Sequence, residues 1–70
     1  MEEAIALKRV HRLQKAGRLP ELRESVGLSQ SDVARALDVD QSAVSRWEAG
    51  LARPRGPHAV ALLELLDGAD

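Results

Sequence analysis

The 70-residue sequence has no cysteine, no phenylalanine and no tyrosine, and Trp47 is its single aromatic of that class. Lacking cysteine, the chain can form neither a disulfide nor a thiolate metal site. Lacking aromatic bulk, it must build its core from Leu, Val and Ala. There is no apolar run of the ~18 residues needed to cross a bilayer, and charges interrupt the apolar positions near the N-terminus, unlike a signal peptide. β-branched residues are few and helix formers dominate, which predicts an all-α fold. The length predicts one domain near the lower limit for an independent core. A cytoplasmic protein is expected, with no membrane partner.

A strong basic excess is also missing: ten Lys+Arg against eleven Asp+Glu leave a net charge of −1. The distribution is less even. Glu2 and Glu3 lie at the start and Glu64, Asp67 and Asp70 at the end. Between Ala4 and Leu63 all ten basic residues face Glu21, Glu24, Asp32, Asp38, Asp40 and Glu48 alone. A moderately basic body with acidic ends is compatible with DNA binding without requiring it.

Catalytic patterns are absent too. His11 and His58 form no i, i+4 pair and have no cysteine partner, so surface histidines are expected rather than metal ligands. Ser25, Ser29, Ser31, Ser42 and Ser45 stand in no motif that would activate a nucleophile, and no glycine-rich phosphate loop occurs. A small helical scaffold offers little room for a deep pocket. No enzyme activity, cofactor, metal or small-molecule ligand is expected.

What is present is helical periodicity between clear breaks. Glu2 to Ala16 predicts a helix ended by Gly17, with an apolar stripe of Ala6, Val10 and Leu13 flanked by Leu7. Lys8, Arg9, Arg12 and Lys15 cluster on nearly the opposite face. Such a helix can wall the core, pair with a second chain, lay its basic face on phosphates, or simply expose that face to water. Its weak stripe without aromatics argues against a membrane-surface role. Gly17-Arg18-Leu19-Pro20 reads as a connector, and Glu21 to Val26 as a helix with Leu22 and Val26 inward, closed by Gly27.

The centre of the chain is Ser29 to Gly50, SQSDVARALDVDQSAVSRWEAG. Ser29 with Asp32 predicts a capping box for a helix over Gln30 to Leu37, which carries Val33, Ala34 and Leu37 on one face. Asp38-Val39-Asp40 predicts a tight turn, with Asp38 suited to the left-handed region and Asp40 as the next cap. A second helix, Gln41 to Ala49, ends at Gly50. It points Val44 and Trp47 one way and Gln41, Ser42, Ser45 and Arg46 the other. Gln can pair bidentately with adenine, Arg with guanine and Ser with several partners. An ordinary solvated face has the same composition. Leu51 to Pro57 predicts a loop in which Arg53 and Arg55 flank Pro54, placed to clamp phosphates or merely to be solvated. The last helix is expected over His58 to Leu66, with Ala59, Leu62, Leu63 and Leu66 inward and Gly68 freeing the tail.

The segment from about Leu22 to Leu66 resembles the helix-turn-helix of lambda-type repressors and Cro proteins, the Xre-like family. The resemblance rests on Arg23, Gly27-Leu28-Ser29-Gln30, Val33-Ala34, Leu37, Val39, Val44-Ser45, Trp47-Glu48, Gly50 and Pro54. Asp38 stands in place of the usual turn glycine and Ala49 in place of the usual asparagine, a family phosphate contact. The sequence also stops before the family's fifth helix. The resemblance implies a compact four- to five-helix bundle with a central helix-turn-helix: an N-terminal amphipathic helix over 1–17 and a DNA-binding region over 18–70, in one domain.

It further implies that Gln41 to Ala49 enters the major groove, that Gln41, Ser42, Ser45 and Arg46 touch bases, and that Gln30, Arg53 and Arg55 hold phosphates. Arg23 and Glu48 would form a structural ion pair. The partner implied is double-stranded DNA, bound by a homodimer formed in solution or on the site. A Cro-like repressor of phage or mobile-element origin fits, and abundant Ala, Arg and Leu with two Lys suggest a GC-rich bacterial or phage source. Two other readings share these features: an antitoxin that binds a toxin and its own promoter, and an interaction module that no longer binds DNA.

Overall fold

Runs of helix formers separated by left-handed residues fold into five helices in the computed structural model, which describes residues 2–67. They are α1 (Glu3–Lys15), α2 (Leu19–Ser25), α3 (Gln30–Leu37), α4 (Gln41–Glu48) and α5 (Gly56–Asp67). Every described residue with regular secondary structure is helical. The expected freedom of Gly68 lies outside the described residues.

The first four helices end in the same way. A residue of positive φ follows each one: Gly17, Gly27, Asp38 and Gly50. At each end the amide after the positive-φ residue reaches back five residues. The bonds run Arg18 to Leu13, Leu28 to Arg23, Val39 to Ala34 and Leu51 to Arg46, at 2.9–3.2 Å. This pattern satisfies carbonyls that the helix leaves unpaired and reverses the chain sharply. Asp38, at φ 57° and ψ 48°, is the only described non-glycine residue in that region. An L-residue is held there at a cost of roughly 1–2 kcal/mol, partly offset in Asp by local side-chain hydrogen bonding. Asp38→Gly is therefore expected to raise stability by about 1 kcal/mol and Asp38→Val to lower it. Thermal melts of both variants check this, and a lower melting temperature for Asp38→Gly would contradict it.

The start of α3 is equally determined. Ser29 accepts from the Asp32 amide at 3.0 Å and Asp32 accepts from the Ser29 amide at 2.9 Å, a complete capping box. The backbone hydrogen bond from Ser29, then the one from its side chain, holds the Asp32 carboxyl below its ordinary value. Asp40 differs from expectation. It occupies the N-cap position of α4 in extended conformation, but its side chain makes no capping hydrogen bond.

Two helix starts also differ, for one reason. α2 begins at Leu19 rather than Glu21, and α5 at Gly56 rather than His58. In both, proline occupies the second helical position, where its missing N–H has no intrahelical partner to lose. Leu19 consequently belongs to the core at 2% exposure, not to a connector. The far ends of α2 and α4 fall one residue earlier than expected, at Ser25 and Glu48.

α1 packs along α5, and α3 packs on both α4 and α5. Val10 of α1, Val33 of α3, Val44 of α4 and Leu63 of α5 are essentially fully buried and belong to one continuous core. Ala6 and Val10 carry the stripe of α1 inward, Leu13 packs at its edge, and Leu7 is exposed. α1 thus supplies a core wall, the first of the roles open to it. Arg9 leaves the expected basic cluster and lies 3.6 Å from Asp67 at the end of α5. No described helix is long and apolar enough to cross a membrane.

Candidate nucleic-acid interface

The orientation of α4 follows from its two buried side chains. Val44 and Trp47 are 2% and 5% exposed, so the opposite face must look outward, and Gln41, Ser42, Ser45 and Arg46 are all exposed. These four side chains form one polar surface of amide, hydroxyl and guanidinium groups. Gln41 is also tied to α3, since the Ser31 hydroxyl donates to its Oε1 at 2.9 Å. That bond occupies one acceptor site and leaves both amide N–H donors unused by it. Ala49, also exposed, offers only a methyl group where the resemblance places asparagine.

The C-terminal end of α4 is clamped from two sides. On one side Arg23 of α2 grips Glu48 with two nitrogens, Nε to Oε2 at 2.6 Å and Nη2 to Oε1 at 3.3 Å. Gln30 donates to Glu48 Oε1 at 2.9 Å, and Arg23 Nη1 donates to the Leu28 carbonyl at 2.9 Å. The Arg23 and Glu48 side chains are 13% and 9% exposed. The hydrogen bond to Glu48 raises Arg23 above the ordinary arginine value, with burial opposing it. The network is closed: among the described residues no buried side-chain polar atom lacks a partner. The enclosed space beside the pair is about 10 Å³, at the limit of what one water fills.

On the other side stands α1. The Gln14 amide donates to the Trp47 carbonyl at 2.9 Å and to the Ala52 carbonyl at 2.8 Å. It therefore joins the last turn of α4 to the loop that follows. His11 lies 2.9 Å from Arg53 through Nε2. Arginine has no acceptor, so in this contact Arg53 donates and the His11 Nε2 accepts. His11 is half-buried by this contact rather than a free surface residue. His58 is half-buried as well, its ring centroid 6.0 Å from that of Trp47, because α5 starts early enough to bring it into the first turn.

The loop between α4 and α5 turns on Pro54, which is buried, while Arg53 and Arg55 on either side are exposed. The structure thus brings Gln41, Ser42, Ser45 and Arg46 onto one face and sets Arg53 and Arg55 in the loop beyond its end. Gln30 occupies a different setting, half-buried on Glu48. Gln14 and His11 did not emerge from sequence reasoning. Their partners lie 33 to 42 residues away, and no local pattern signals them.

A sequence profile described as helix-turn-helix matches residues 20–68, a span that runs from the first turn of α2 through α5 and leaves α1 outside. Comparison with curated proteins and with solved structures returned no match. The matched span exceeds half of the 70 residues and carries the capped α3, the left-handed turn at Asp38 and the outward-facing α4. The chain accordingly belongs to the lambda-repressor/Cro-type (Xre-like) helix-turn-helix family of DNA-binding regulators.

Proposed function

We propose that this protein is a sequence-specific transcriptional regulator, a Cro-like repressor of phage or mobile-element origin acting in the bacterial cytoplasm, that inserts α4 into the major groove. The observation that carries the reading is the exposed Gln41-Ser42-Ser45-Arg46 face, held outward by buried Val44 and Trp47. In this reading those four side chains meet base edges. Arg53 and Arg55 hold phosphates, which position the domain without reading sequence. Gln30 keeps a second amide N–H besides the one given to Glu48, and in this role donates it to a phosphate at the start of α3. One such domain spans few base pairs, so a homodimer, preformed or assembled on the site, reads two half-sites about one helical turn apart. Repression then follows from occupancy of the site.

Selection of bound duplexes from a random pool tests this. An enriched inverted repeat is expected, and a pool that shows no enrichment would overturn the reading. Titration of two variants then separates the roles. Arg46→Ala is expected to lose about 1–3 kcal/mol on the selected site and to relax preference at one base pair. Arg53→Ala is expected to weaken every sequence about equally and to lower the salt slope by about one unit. If Arg46→Ala instead weakened selected and scrambled duplexes alike, Arg46 would be a phosphate contact.

A further inference from the structure

Four of the ten cations in this fold already have an acid. Arg9 lies by Asp67, Arg18 by Glu21, Arg23 on Glu48 and Arg35 by Asp32. Lys8, Arg12, Lys15, Arg46, Arg53 and Arg55 make no ion pair among the described residues. Three of them belong to the interface proposed above. The other three, Lys8, Arg12 and Lys15, lie on α1, outside the span that matches the family.

α1 is not remote from that interface, because it runs along the loop after α4. Glu3 sits against Gly56, so closely that a Cβ there would collide with its carboxylate. His11 meets Arg53, and Gln14 meets Ala52 and Trp47. As α1 advances from Glu3 to Gln14, its contacts retreat from Gly56, the first residue of α5, through the loop to Ala52, so the two segments are antiparallel neighbours. At about 100° per residue, Lys15, Lys8 and Arg12 lie roughly 40°, 60° and 100° round the helix from His11, turned away from buried Ala6 and Val10. All three are exposed, and with His11 they form one open stretch of the α1 surface. From Lys8 to Lys15 the helix rises about 10 Å, roughly the axial rise of three successive phosphates on one strand.

We infer that α1 carries a second backbone-binding surface. Lys8, Arg12 and Lys15 follow the phosphates of one strand beyond the segment that α4 reads, and Arg53 is the joint between the two surfaces. His11 is a positioning residue that holds the Arg53 guanidinium at that joint. The inference rests on the proposed placement of α4 in so far as both surfaces meet one duplex. A polyanion with regularly spaced charges fits a linear row of cations continuous with Arg53, and no described acid lies on that stretch of surface.

The test is a salt titration of the full chain and of the variant Lys8→Gln/Arg12→Gln/Lys15→Gln on random-sequence duplexes of about one and about three helical turns. On the long duplex the variant's plot of log affinity against log salt is expected to be shallower by about 0.9 per phosphate, hence by roughly two to three units. The domain extends 26 Å at most, less than one helical turn, so the short duplex also reaches Lys8 to Lys15 and should show the same decrease. Single Lys8→Gln and Lys15→Gln variants, each expected to lose about one unit, preserve the test if the triple variant does not fold. An unchanged slope on the long duplex overturns the inference and leaves Lys8, Arg12 and Lys15 to an acidic protein or to solvent. Failure of the α4 reading shows itself separately, as absence of sequence preference with the long-duplex slope change intact.

Discussion

Deletion of residues 2–16 is expected to abolish the cooperative thermal transition of the remaining chain. α1 contributes Ala6 and Val10, 0% and 1% exposed, to the same core as Leu62 and Leu63 of α5. Full burial of a valine is worth roughly 1.5–3 kcal/mol, and the apolar surface uncovered on α5 is a further loss of similar size. The Trp47 and Ala52 carbonyls would also lose Gln14, their shared donor. Together these effects reach about 5 kcal/mol, while a chain of this length has a total stability of only about 4–10 kcal/mol. Circular dichroism during heating measures the outcome. A truncated chain that melts at the temperature of the full one would make α1 an appendage and remove the structural basis of the second backbone-binding surface as well. Gln14→Ala isolates the polar part: by leaving two carbonyls without that donor it should cost about 1–3 kcal/mol.

Glu48→Ala is expected to be the most damaging single truncation of a polar residue. It leaves the Arg23 guanidinium 13% exposed without its carboxylate and removes the acceptor of Gln30. Breaking one side of a buried pair costs about 3–5 kcal/mol, because the remaining charge is stranded away from water. The residual exposure here favours the lower end. At about 4–8 °C per kcal/mol for a domain of this size, the melting temperature should fall by at least about 12 °C. Removing both charges together, as in Arg23→Met/Glu48→Leu, should cost much less than the sum of the two single losses. Equilibrium unfolding of the parent, Arg23→Met, Glu48→Leu and the double variant forms the double-mutant cycle. A Glu48→Ala variant within about 0.5 kcal/mol of the parent would show that the pair contributes no more than a surface bridge. The same cycle bears on function, since the pair anchors the last turn of α4 to α2.

Several features could be read directly from residues because their causes are local. Ser29 and Asp32 are three residues apart and cap each other, so α3 begins and ends where the sequence predicts, at Gln30 and Leu37. Asp38 takes the left-handed conformation that a turn between two short helices demands. The outward set on α4 follows from a period of 3.6 and two large apolar residues. The starts of α2 and α5 lie one or two residues before the positions that the pattern of apolar residues indicates, because in both helices the proline and the residue before it belong to the first turn. The earlier starts bring Leu19 into the core and shorten the loop before α5.

The sequence by itself determined the type and approximate ends of the helices, the apolar face of each, and the polar face offered by α4. Those properties depend on residues within a turn or two of one another, where helical period, capping chemistry and positive-φ positions act. Only the tertiary structure decided that α1 closes the core against α5, that Gln14 clamps the end of α4, and that His11 holds Arg53. It also decided which cations are spent on acids and which stay available. Pairing depends on which helix faces come together across the fold. A stripe of small apolar residues specifies that a face will be buried, but the shape of the surface it meets specifies where.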